Sequence, residues 1–251
     1  SHSRVGGFTN DLRDKYGLAI HDSIERVADE CDAVFLESVD GRQHLEQFQK
    51  IAPFGKPVFI DKPFATTSAE GKQILELSAK YKAPVYSSSA IRYANGIRDL
   101  AAGEKIQSAL AYGPMALLDD YPGYFWYGIH SAEVLFSKMG RGCVSVQVKA
   151  SDAMDLISGT WADGRVGTIH GFRIEGVWEF GAVLYTAKGV HKGVASSVPP
   201  YYACMLPHVI DFFNSGKPEV DPGESLEIAA FLEAAFESRN TGKEVALATT
   251  I

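Results

Sequence analysis

A lysine stands two residues after the end of a short apolar run in this chain of 251 residues. The run Val58–Ile60 is followed by Asp61, Lys62 and Pro63, and a helical pattern begins a few residues later. A parallel β-strand delivers the side chains that follow it to the carboxyl edge of a sheet, where open α/β folds bind ligands. Because Pro63 biases Lys62 toward an extended conformation, the position of the amine is restricted. The sequence therefore offers an ammonium group that can polarise a substrate hydroxyl or carbonyl, with a solvated lysine at a strand end as the alternative.

A histidine near the start of a predicted helix is the other candidate for chemistry. His130 and Glu133 lie three positions apart on the helix Ile129–Met139, so they share a face. The imidazole can exchange a proton near neutral pH, as alcohol–ketone redox chemistry requires, and the carboxylate can orient the ring. A core histidine bonded to the backbone is the alternative. The pair lacks a visible third ligand, so we predict no metal site.

Three further side chains are candidate substrate contacts. Trp126 and Tyr127 belong to the aromatic run Tyr124–Tyr127, which can stack on a sugar ring or pack in the core. Arg92 follows the predicted strand Val85–Ser88, and it can reach a substrate or a phosphate or form an ion pair at the surface.

The pattern of apolar residues changes between the two halves of the chain. In the first half, short apolar runs alternate with helical patterns, which indicates a parallel, doubly wound sheet. The predicted strands there are Ala33–Leu36, Pro57–Ile60 and Pro84–Tyr86, and the predicted helices are one ending at Tyr16, Asp22–Ala28, Arg42–Ile51 and Ser68–Tyr81. Asp22 and Thr67 are the predicted N-caps, and Thr67 forms a capping box with Glu70.

The second half has the pattern of an antiparallel meander, with amphipathic strands separated by turns. Its predicted strands are Val144–Ala150, Ile157–Trp161, Val166–Phe172 and Ala182–Thr186, and two long helices, Tyr201–Ser215 and Pro222–Thr241, close the chain. We place a domain boundary near Ser89, which gives domains 1–89 and 90–251.

Composition narrows the class of protein. The net charge of -7 and the isoelectric point near 5.5 argue against a nucleic-acid partner, and no apolar stretch is long enough to span a membrane. Three widely separated cysteines, Cys31, Cys143 and Cys204, indicate a reduced compartment, so we predict a cytoplasmic protein. The chain has no Gly-x-Gly-x-x-Gly turn. We therefore expect it to begin within or after the second βαβ unit of a dinucleotide-binding fold.

Several short motifs follow one another in an order that is specific when they are taken together. They are Cys31–Leu36 with His44, Phe54–Val58, Asp61–Ala65, Gly128–His130, Phe213–Pro218, Glu224–Ser225, Ala234–Ser238 and Gly242–Val245. This series resembles the glucose–fructose oxidoreductase/inositol dehydrogenase (Gfo/Idh/MocA) family over essentially the whole chain from about Tyr16. Asp61-Lys62-Pro63 resembles the family's Glu-Lys-Pro motif, and Gly128-Ile129-His130 resembles the helix that carries its catalytic histidine.

The resemblance implies an α/β protein with an incomplete Rossmann-like parallel sheet domain and an α+β domain with a large, mostly antiparallel, open-faced sheet. It implies an oxidoreductase that uses NAD or NADP to exchange hydride with a hydroxyl or ketone of a sugar, cyclitol or related polyol. Lys62 would bind the reacting oxygen, and His130 would be the general acid/base. The open sheet would form the interface of a homo-oligomer.

Two groups of residues complete the expected site. The residues expected to line the cofactor are Ser38, Val39, Asp40, His44, Asp61 and Pro63. The residues expected to contact the substrate are Arg92, Trp126, Tyr127 and Glu133.

The chain departs from the family pattern at three places. Asp61 replaces the usual glutamate, and Val39-Asp40 stands where the family often has Thr-Pro. Trp126 stands where many members carry an aspartate four residues before the histidine. The acidic residues that can replace this aspartate are Asp119, Asp120 and Glu133. The alternative function, supported by Trp126 and the absent glycine turn, is a catalytically inactive relative that serves as a sugar-binding or assembly subunit.

Overall fold

Three short parallel strands form the first sheet of the computed structural model, which describes residues 4–248. Strands β1 (Val34–Leu36), β2 (Val58–Ile60) and β3 (Val85–Tyr86) pair in sequence order. The central strand β2 is buried on both faces, since Val58 and Ile60 pack in one apolar cluster and Phe59 packs in another. An uninterrupted apolar run is the pattern that such a strand requires.

Four helices precede or connect these strands. They are α1 (Val5–Tyr16), α2 (Ile24–Glu30), α3 (His44–Ile51) and α4 (Ser68–Tyr81). The predicted cap of α4 is confirmed, because the Thr67 hydroxyl accepts from the Glu70 amide. The Glu70 carboxylate bonds Thr66 rather than closing the box on Thr67. The prediction of Asp22 as a cap is wrong: Ser23 is the extended residue before α2, and its hydroxyl accepts from the Arg26 amide.

Seven strands form the second sheet, in the order β10-β5-β6-β7-β4-β8-β9. They are β4 (Ile106–Pro114), β5 (Cys143–Ala150), β6 (Met154–Trp161), β7 (Val166–Phe172), β8 (Gly181–Thr186), β9 (Gly189–Val194) and β10 (Val245–Ala246). All neighbours are antiparallel except the pair β4 and β7. The mixed fold with one parallel and one mostly antiparallel sheet confirms the predicted fold class.

The three strands absent from our sequence predictions are β4, β9 and β10. Their sequences explain the omission. Strand β4 contains alanine, glycine and proline at positions where strands usually carry β-branched residues, and β9 is an edge strand with exposed and half-buried side chains.

Helices cover one face of the second sheet. They are α5 (Gly128–Met139) and α7 (Pro222–Thr241), while α6 (Tyr201–Ser215) packs against the 3₁₀ turn Ala90–Tyr93 and the first sheet. Phe136 of α5 fills the centre, with its ring 5.5 Å from Trp161 and 5.4 Å from Phe231. Helix α7 also contacts α4. Residues beyond position 90 therefore help to cover the first sheet, and the domain boundary near Ser89 stays a prediction.

A buried carboxylate connects the second sheet to the loop before α5. Asp155 is fully buried, and the Tyr124 hydroxyl donates to it over 2.8 Å. Arg173 and Arg239 donate to the same carboxylate over 2.8 and 3.0 Å. Because Tyr124 lies four residues before the start of α5, this cluster fixes where that helix begins.

We expect Asp155→Asn to lower the free energy of unfolding by about 3 kcal/mol, because it removes the charge that two arginines share in a buried position. Denaturant titration followed by circular dichroism measures the change. Asp152→Asn is the matched control at an exposed site in the bend just before β6, and it should stay within about 0.5 kcal/mol. Equal losses in both variants would contradict the assigned role of Asp155.

Candidate active site

The amine of Lys62 lies at the carboxyl edge of the first sheet. The Asp61 amide donates to the Leu36 carbonyl and extends the pairing of β2 with β1 by one residue. Lys62 follows immediately, and the Lys62–Pro63 peptide is cis. The side chain extends to within 6.0 Å of the centre of the Trp126 ring, a cation–π distance. The predicted placement of Lys62 at a strand end is therefore found.

His130 lies in the first turn of α5. Its Nδ1 atom is 2.7 Å from the hydroxyl of Ser89, a fully buried residue that follows β3. No residue in the range 4–248 bonds its Nε2 atom. The rings of Phe180 and Tyr127 contact the imidazole edge-on, at 5.4 and 5.8 Å between ring centres. These contacts leave one ring nitrogen free to meet a ligand.

One cavity brings the two groups together. It has a volume of about 330 Å³. Its lining residues are Lys62, Ala90, Ile91, Trp126, Tyr127, His130, Phe180, Tyr201 and Tyr202. Lysine and histidine thus converge from different halves of the chain on a space with aromatic walls. Such a space can hold one small ring with an oxygen between the ammonium and the imidazole.

The electrostatics of the cavity keep the imidazole neutral. Burial, followed by the positive charge of Lys62, lowers the pKa of His130 from 6.5 to about 3. No carboxylate contacts the ring to offset these effects within the described chain. At physiological pH the site therefore holds one cation, Lys62, beside a neutral imidazole.

Two aromatic residues hold the loop before α5 against the first sheet. The Tyr121 hydroxyl accepts from the Gly41 amide over 3.0 Å, and the ring of Tyr121 meets Trp126 edge-on. Trp126 and Tyr127 are both half-buried and line the cavity. The structure thus brings both predicted aromatic residues to the site.

The residues predicted to line the cofactor fall into two groups. Val39 and Asp61 keep part of their surface open to solvent. His44 and Pro63 are buried. His44 Nδ1 lies 2.9 Å from the Pro63 carbonyl and Nε2 lies 2.8 Å from the Ser38 carbonyl. His44 therefore joins the loops that follow β1 and β2 instead of presenting its ring to a ligand.

Two other predicted cofactor residues have partners of their own. The Ser38 hydroxyl bonds the side chain of Gln47 over 2.7 Å. Asp40 accepts from Arg42, and this hydrogen bond holds the pKa of the Asp40 carboxyl below its ordinary value despite a small opposing effect of burial. Asp40 is therefore an anion whose charge is balanced by an adjacent guanidinium.

Two residues beside Lys62 were absent from our sequence predictions. Burial, then the charge of Asp61, raises the pKa of Glu37 to about 7, although part of the Glu37 side chain reaches solvent. Burial, then the charges of Asp61 and Glu37, raises the pKa of Tyr202 to about 12. Glu37 follows β1 as Asp61 follows β2, so its position after an apolar run was the available signal.

These groups fit the nicotinamide half of a dinucleotide. Carboxylates at strand ends accept hydrogen bonds from ribose hydroxyls, and Asp61 and Glu37 are available for this purpose. Val39 and Tyr202 add exposed apolar surface for a flat ring. Among residues 4–248, no glycine-rich turn precedes β1 to hold a pyrophosphate.

Arg92 and Glu133, both predicted substrate contacts, lie outside this cavity. Arg92 donates to Glu133 over 2.8 Å and to Glu224 over 2.7 Å, which joins the 3₁₀ turn to α5 and α7. Burial raises the pKa of Glu133, and the charge of Arg92 partly offsets this effect. Glu133 therefore pairs with Arg92 and does not orient His130; that position belongs to Ser89.

A larger cavity, about 780 Å³, lies next to Arg42 and Tyr121. Asp119 and Asp120 line it, whereas Lys62 and His130 do not. We assign the chemistry to the smaller cavity because an ammonium and an unpaired imidazole nitrogen meet there.

In the described part of the chain, no group of three or more His, Cys, Asp or Glu residues gathers to hold a metal ion.

Ser89 is a further site residue whose functional group sequence reasoning missed. It closes the run Ser87–Ser88–Ser89 directly after β3. Its place after a parallel strand was the same signal that singled out Lys62. The contact with His130 was not visible, because the two residues are separated by 41 positions.

The fold combines a Rossmann-like parallel sheet with a larger open sheet, and the cavity lies where the two meet. Residues 7–89 match the family model GFO_IDH_MocA, described as an oxidoreductase family with an NAD-binding Rossmann fold. Over residues 7–89 this match bears out the resemblance to the Gfo/Idh/MocA oxidoreductases found in the sequence, and it indicates NAD or NADP as the cofactor. No curated protein sequence matches the chain.

Solved structures share the fold along nearly the whole chain. A putative myo-inositol dehydrogenase from Sinorhizobium meliloti is 16% identical, with a TM-score of 0.83, and the match covers 97% of this chain and 90% of that one. The myo-inositol dehydrogenase from Lactobacillus casei, in complex with NAD(H) and myo-inositol, is 16% identical with a TM-score of 0.78, covering 96% and 86%.

A third structure with this fold carries a sugar nucleotide. The WlbA dehydrogenase from Bordetella pertussis, in complex with NADH and UDP-GlcNAcA, is 16% identical with a TM-score of 0.73, and the match covers 98% of this chain and 88% of that one.

No helix among residues 4–248 is both long and apolar enough to cross a membrane.

The lowered pKa of His130 predicts a pH dependence of stability. Unfolding restores the ordinary pKa of 6.5, so the unfolded chain binds one more proton than the folded chain between pH 6.5 and about 3. The contribution of neutral His130 is complete above pH 6.5 and is lost as the pH falls toward 3, by at most about 1.4 kcal/mol per pH unit.

Denaturant titrations of the wild type and His130→Gln at several pH values measure this effect. Because glutamine does not titrate, the stability of the variant should fall less steeply than that of the wild type as the pH drops below 6.5. Parallel curves for the two proteins would show that His130 is not desolvated in the folded state.

Proposed function

We propose that the protein is an NAD(P)-dependent dehydrogenase or reductase that interconverts an alcohol and a ketone on a sugar, cyclitol or related polyol. The observation that carries the proposal is the convergence of Lys62 and His130 on one cavity. The ammonium of Lys62 binds the reacting oxygen, and the imidazole of His130 lies beside the same oxygen. A bound nicotinamide cofactor would accept or supply the hydride.

The shape and lining of the cavity support a polyol substrate. A volume of about 330 Å³ suits a single ring. Trp126 and Tyr127 provide aromatic surface against which the apolar face of a sugar or cyclitol can stack. The structures of similar fold that hold myo-inositol or a sugar nucleotide agree with this class.

The arrangement does not favour the alternative of a catalytically inactive relative. That alternative rested on Trp126 in place of an aspartate and on the absent glycine turn. In this chain the imidazole has another partner, Ser89, and Trp126 lies beside the Lys62 amine. The groups needed to bind and polarise a substrate oxygen are therefore present together.

We further propose a cytoplasmic homo-oligomer that assembles through the open face of the second sheet. The strand register places Val190, Tyr185, Ser108 and Val166 in one row across four strands. Three of these four residues are large, apolar and exposed. Apolar surface of this kind on a sheet face is typical of an interface between subunits.

Lys62→Ala should lower kcat/KM by about 10² to 10³, because the reacting oxygen loses its charged hydrogen-bond donor. The measurement is the change in nicotinamide absorbance with a panel of inositols, sugars and their ketones, using both NAD and NADP. Circular dichroism should show an unchanged fold, since the Lys62 side chain is only half-buried.

Lys72→Ala is the matched control, because Lys72 is an exposed lysine on the neighbouring helix α4. It should retain wild-type activity. Turnover that is equal in the wild type and Lys62→Ala would contradict the proposed site, whereas tight polyol binding without any turnover would favour the sugar-binding alternative.

Tyr185→Glu should reduce the mass of the particle, because a carboxylate in the middle of the apolar row cannot be buried without a partner. Light scattering after size-exclusion chromatography measures this mass. Lys188→Glu introduces the same residue in the neighbouring exposed turn and is the control. A wild-type protein that is already monomeric would refute the assembly.

A further inference from the structure

The hydrogen bonds of Ser89 constrain the protonation of His130. Ser89 is fully buried, so its hydroxyl has no access to water. The Ile91 amide donates to its oxygen over 3.2 Å, because Ser89 is the N-cap of the 3₁₀ turn Ala90–Tyr93. The oxygen of the hydroxyl is thus occupied as an acceptor, and its hydrogen still needs an acceptor of its own.

The only acceptor in reach of that hydrogen, within residues 4–248, is His130 Nδ1 at 2.7 Å. A neutral imidazole carries one hydrogen, on either Nδ1 or Nε2. If Nδ1 carried it, this N–H would point at the Ser89 oxygen and the serine hydrogen would be left buried without a partner. If Nε2 carries it, Nδ1 accepts from Ser89 and every group is satisfied. Buried polar groups are almost always satisfied, which favours the second arrangement.

We propose that Ser89 is a positioning residue that holds His130 as the neutral tautomer with its hydrogen on Nε2. His130 then donates a hydrogen bond to the reacting oxygen and keeps its proton. The identity of that oxygen rests on the proposed function, whereas the tautomer does not.

The proton of the reaction then belongs to Lys62. In the direction of ketone reduction, the substrate oxygen forms an O–H bond as one Nζ–H bond of the ammonium breaks, which leaves a neutral amine that water reprotonates. In the direction of alcohol oxidation the neutral amine accepts the hydroxyl proton. A bound nicotinamide would supply or accept the hydride, so charge and atoms balance. The two predicted catalytic groups thus have different roles: Lys62 exchanges the proton, and His130 orients and polarises the oxygen.

The charges around His130 agree with this division. The nearest is the cation Lys62, and together with burial it lowers the pKa of the ring. On the helix of His130, Glu133 is paired with Arg92 of the adjacent 3₁₀ turn, and Glu224 of α7 joins the same cluster. The remaining ionisable groups that line the cavity are the phenols of Tyr127, Tyr201 and Tyr202. None of these groups supplies the carboxylate that would draw a proton to Nδ1.

The first test is the nitrogen spectrum of the imidazole rings in the wild-type protein. Long-range proton–nitrogen NMR separates protonated from unprotonated ring nitrogens, and His130→Gln assigns the signals. We expect Nε2 of His130 to carry the hydrogen and its signals to stay constant over the range in which ordinary histidines titrate. A hydrogen on Nδ1, or titration like that of an exposed histidine, would overturn the proposal.

The second test removes the serine hydroxyl. Ser89→Ala should lower kcat about 10- to 100-fold, because the ring is no longer held in line with the substrate oxygen, and it should leave the dissociation constant of the reduced cofactor unchanged. The Nδ1 signal of His130 should shift as its hydrogen bond is lost. Wild-type kcat in Ser89→Ala would overturn the proposal.

Ser131→Ala is the matched control. Ser131 follows His130 on α5, is fully buried, and its hydroxyl has no hydrogen-bond partner in the described chain. It should keep wild-type kcat and leave the His130 signals in place. If no polyol or ketone is turned over, the proposed function fails, yet the wild-type spectrum still decides the tautomer. If Ser89→Ala does not fold, the spectrum of the wild type decides it alone.

Discussion

Parallel pairing of the first three strands is the constraint on which the site depends. Because β1, β2 and β3 run in the same direction, the residues that follow them meet at one edge of the sheet. Glu37 and Lys62 follow the first two strands, and Ser89 is three residues past the third. The edge thus carries an acid, an amine and a hydroxyl. These groups are far apart in the sequence, and the parallel sheet is what brings them together. Reversing any one strand would remove its residue from this group.

The imidazole is brought to that edge by contacts outside the cavity. Asp155 holds Tyr124, which fixes where α5 begins. The start of α5 in turn fixes the position of His130 relative to the cavity. The Tyr121 hydroxyl accepts from the Gly41 amide and holds the loop before α5 against the first half of the chain. These contacts involve buried or half-buried polar groups, whose loss costs more than that of a surface pair. The side chains of the site are therefore positioned by polar groups that lie outside the cavity.

The sequence predicted Lys62, His130 and the aromatic wall because each is a local pattern: an apolar run that ends on a lysine, a helix start, and an aromatic cluster. The parallel sheet and most of the meander were predicted for the same reason. Prediction from the sequence failed where a residue's role depends on a partner that is distant along the chain. Glu133 lies on the same helix face as His130, but Arg92 arrives from another element and pairs with it. His44 resembled a cofactor ligand, yet two carbonyls from separate loops enclose its ring. Strand β4 was missed because its small residues are explained only by the helix that packs on them.

The partner of a half-buried imidazole determines what that imidazole can do. A carboxylate beside Nδ1 would stabilise the protonated ring and raise its pKa, so the ring could take and return a proton near neutral pH. Ser89 carries no charge and cannot offset the cost of burial or the repulsion from Lys62. The ring therefore stays neutral, and in the proposed mechanism the adjacent amine is the group that exchanges a proton. Trp126 supports the same division, since its ring lies within a cation–π distance of the Lys62 ammonium. An aromatic face stabilises the cation without holding its proton, and this leaves the amine free to meet the substrate oxygen.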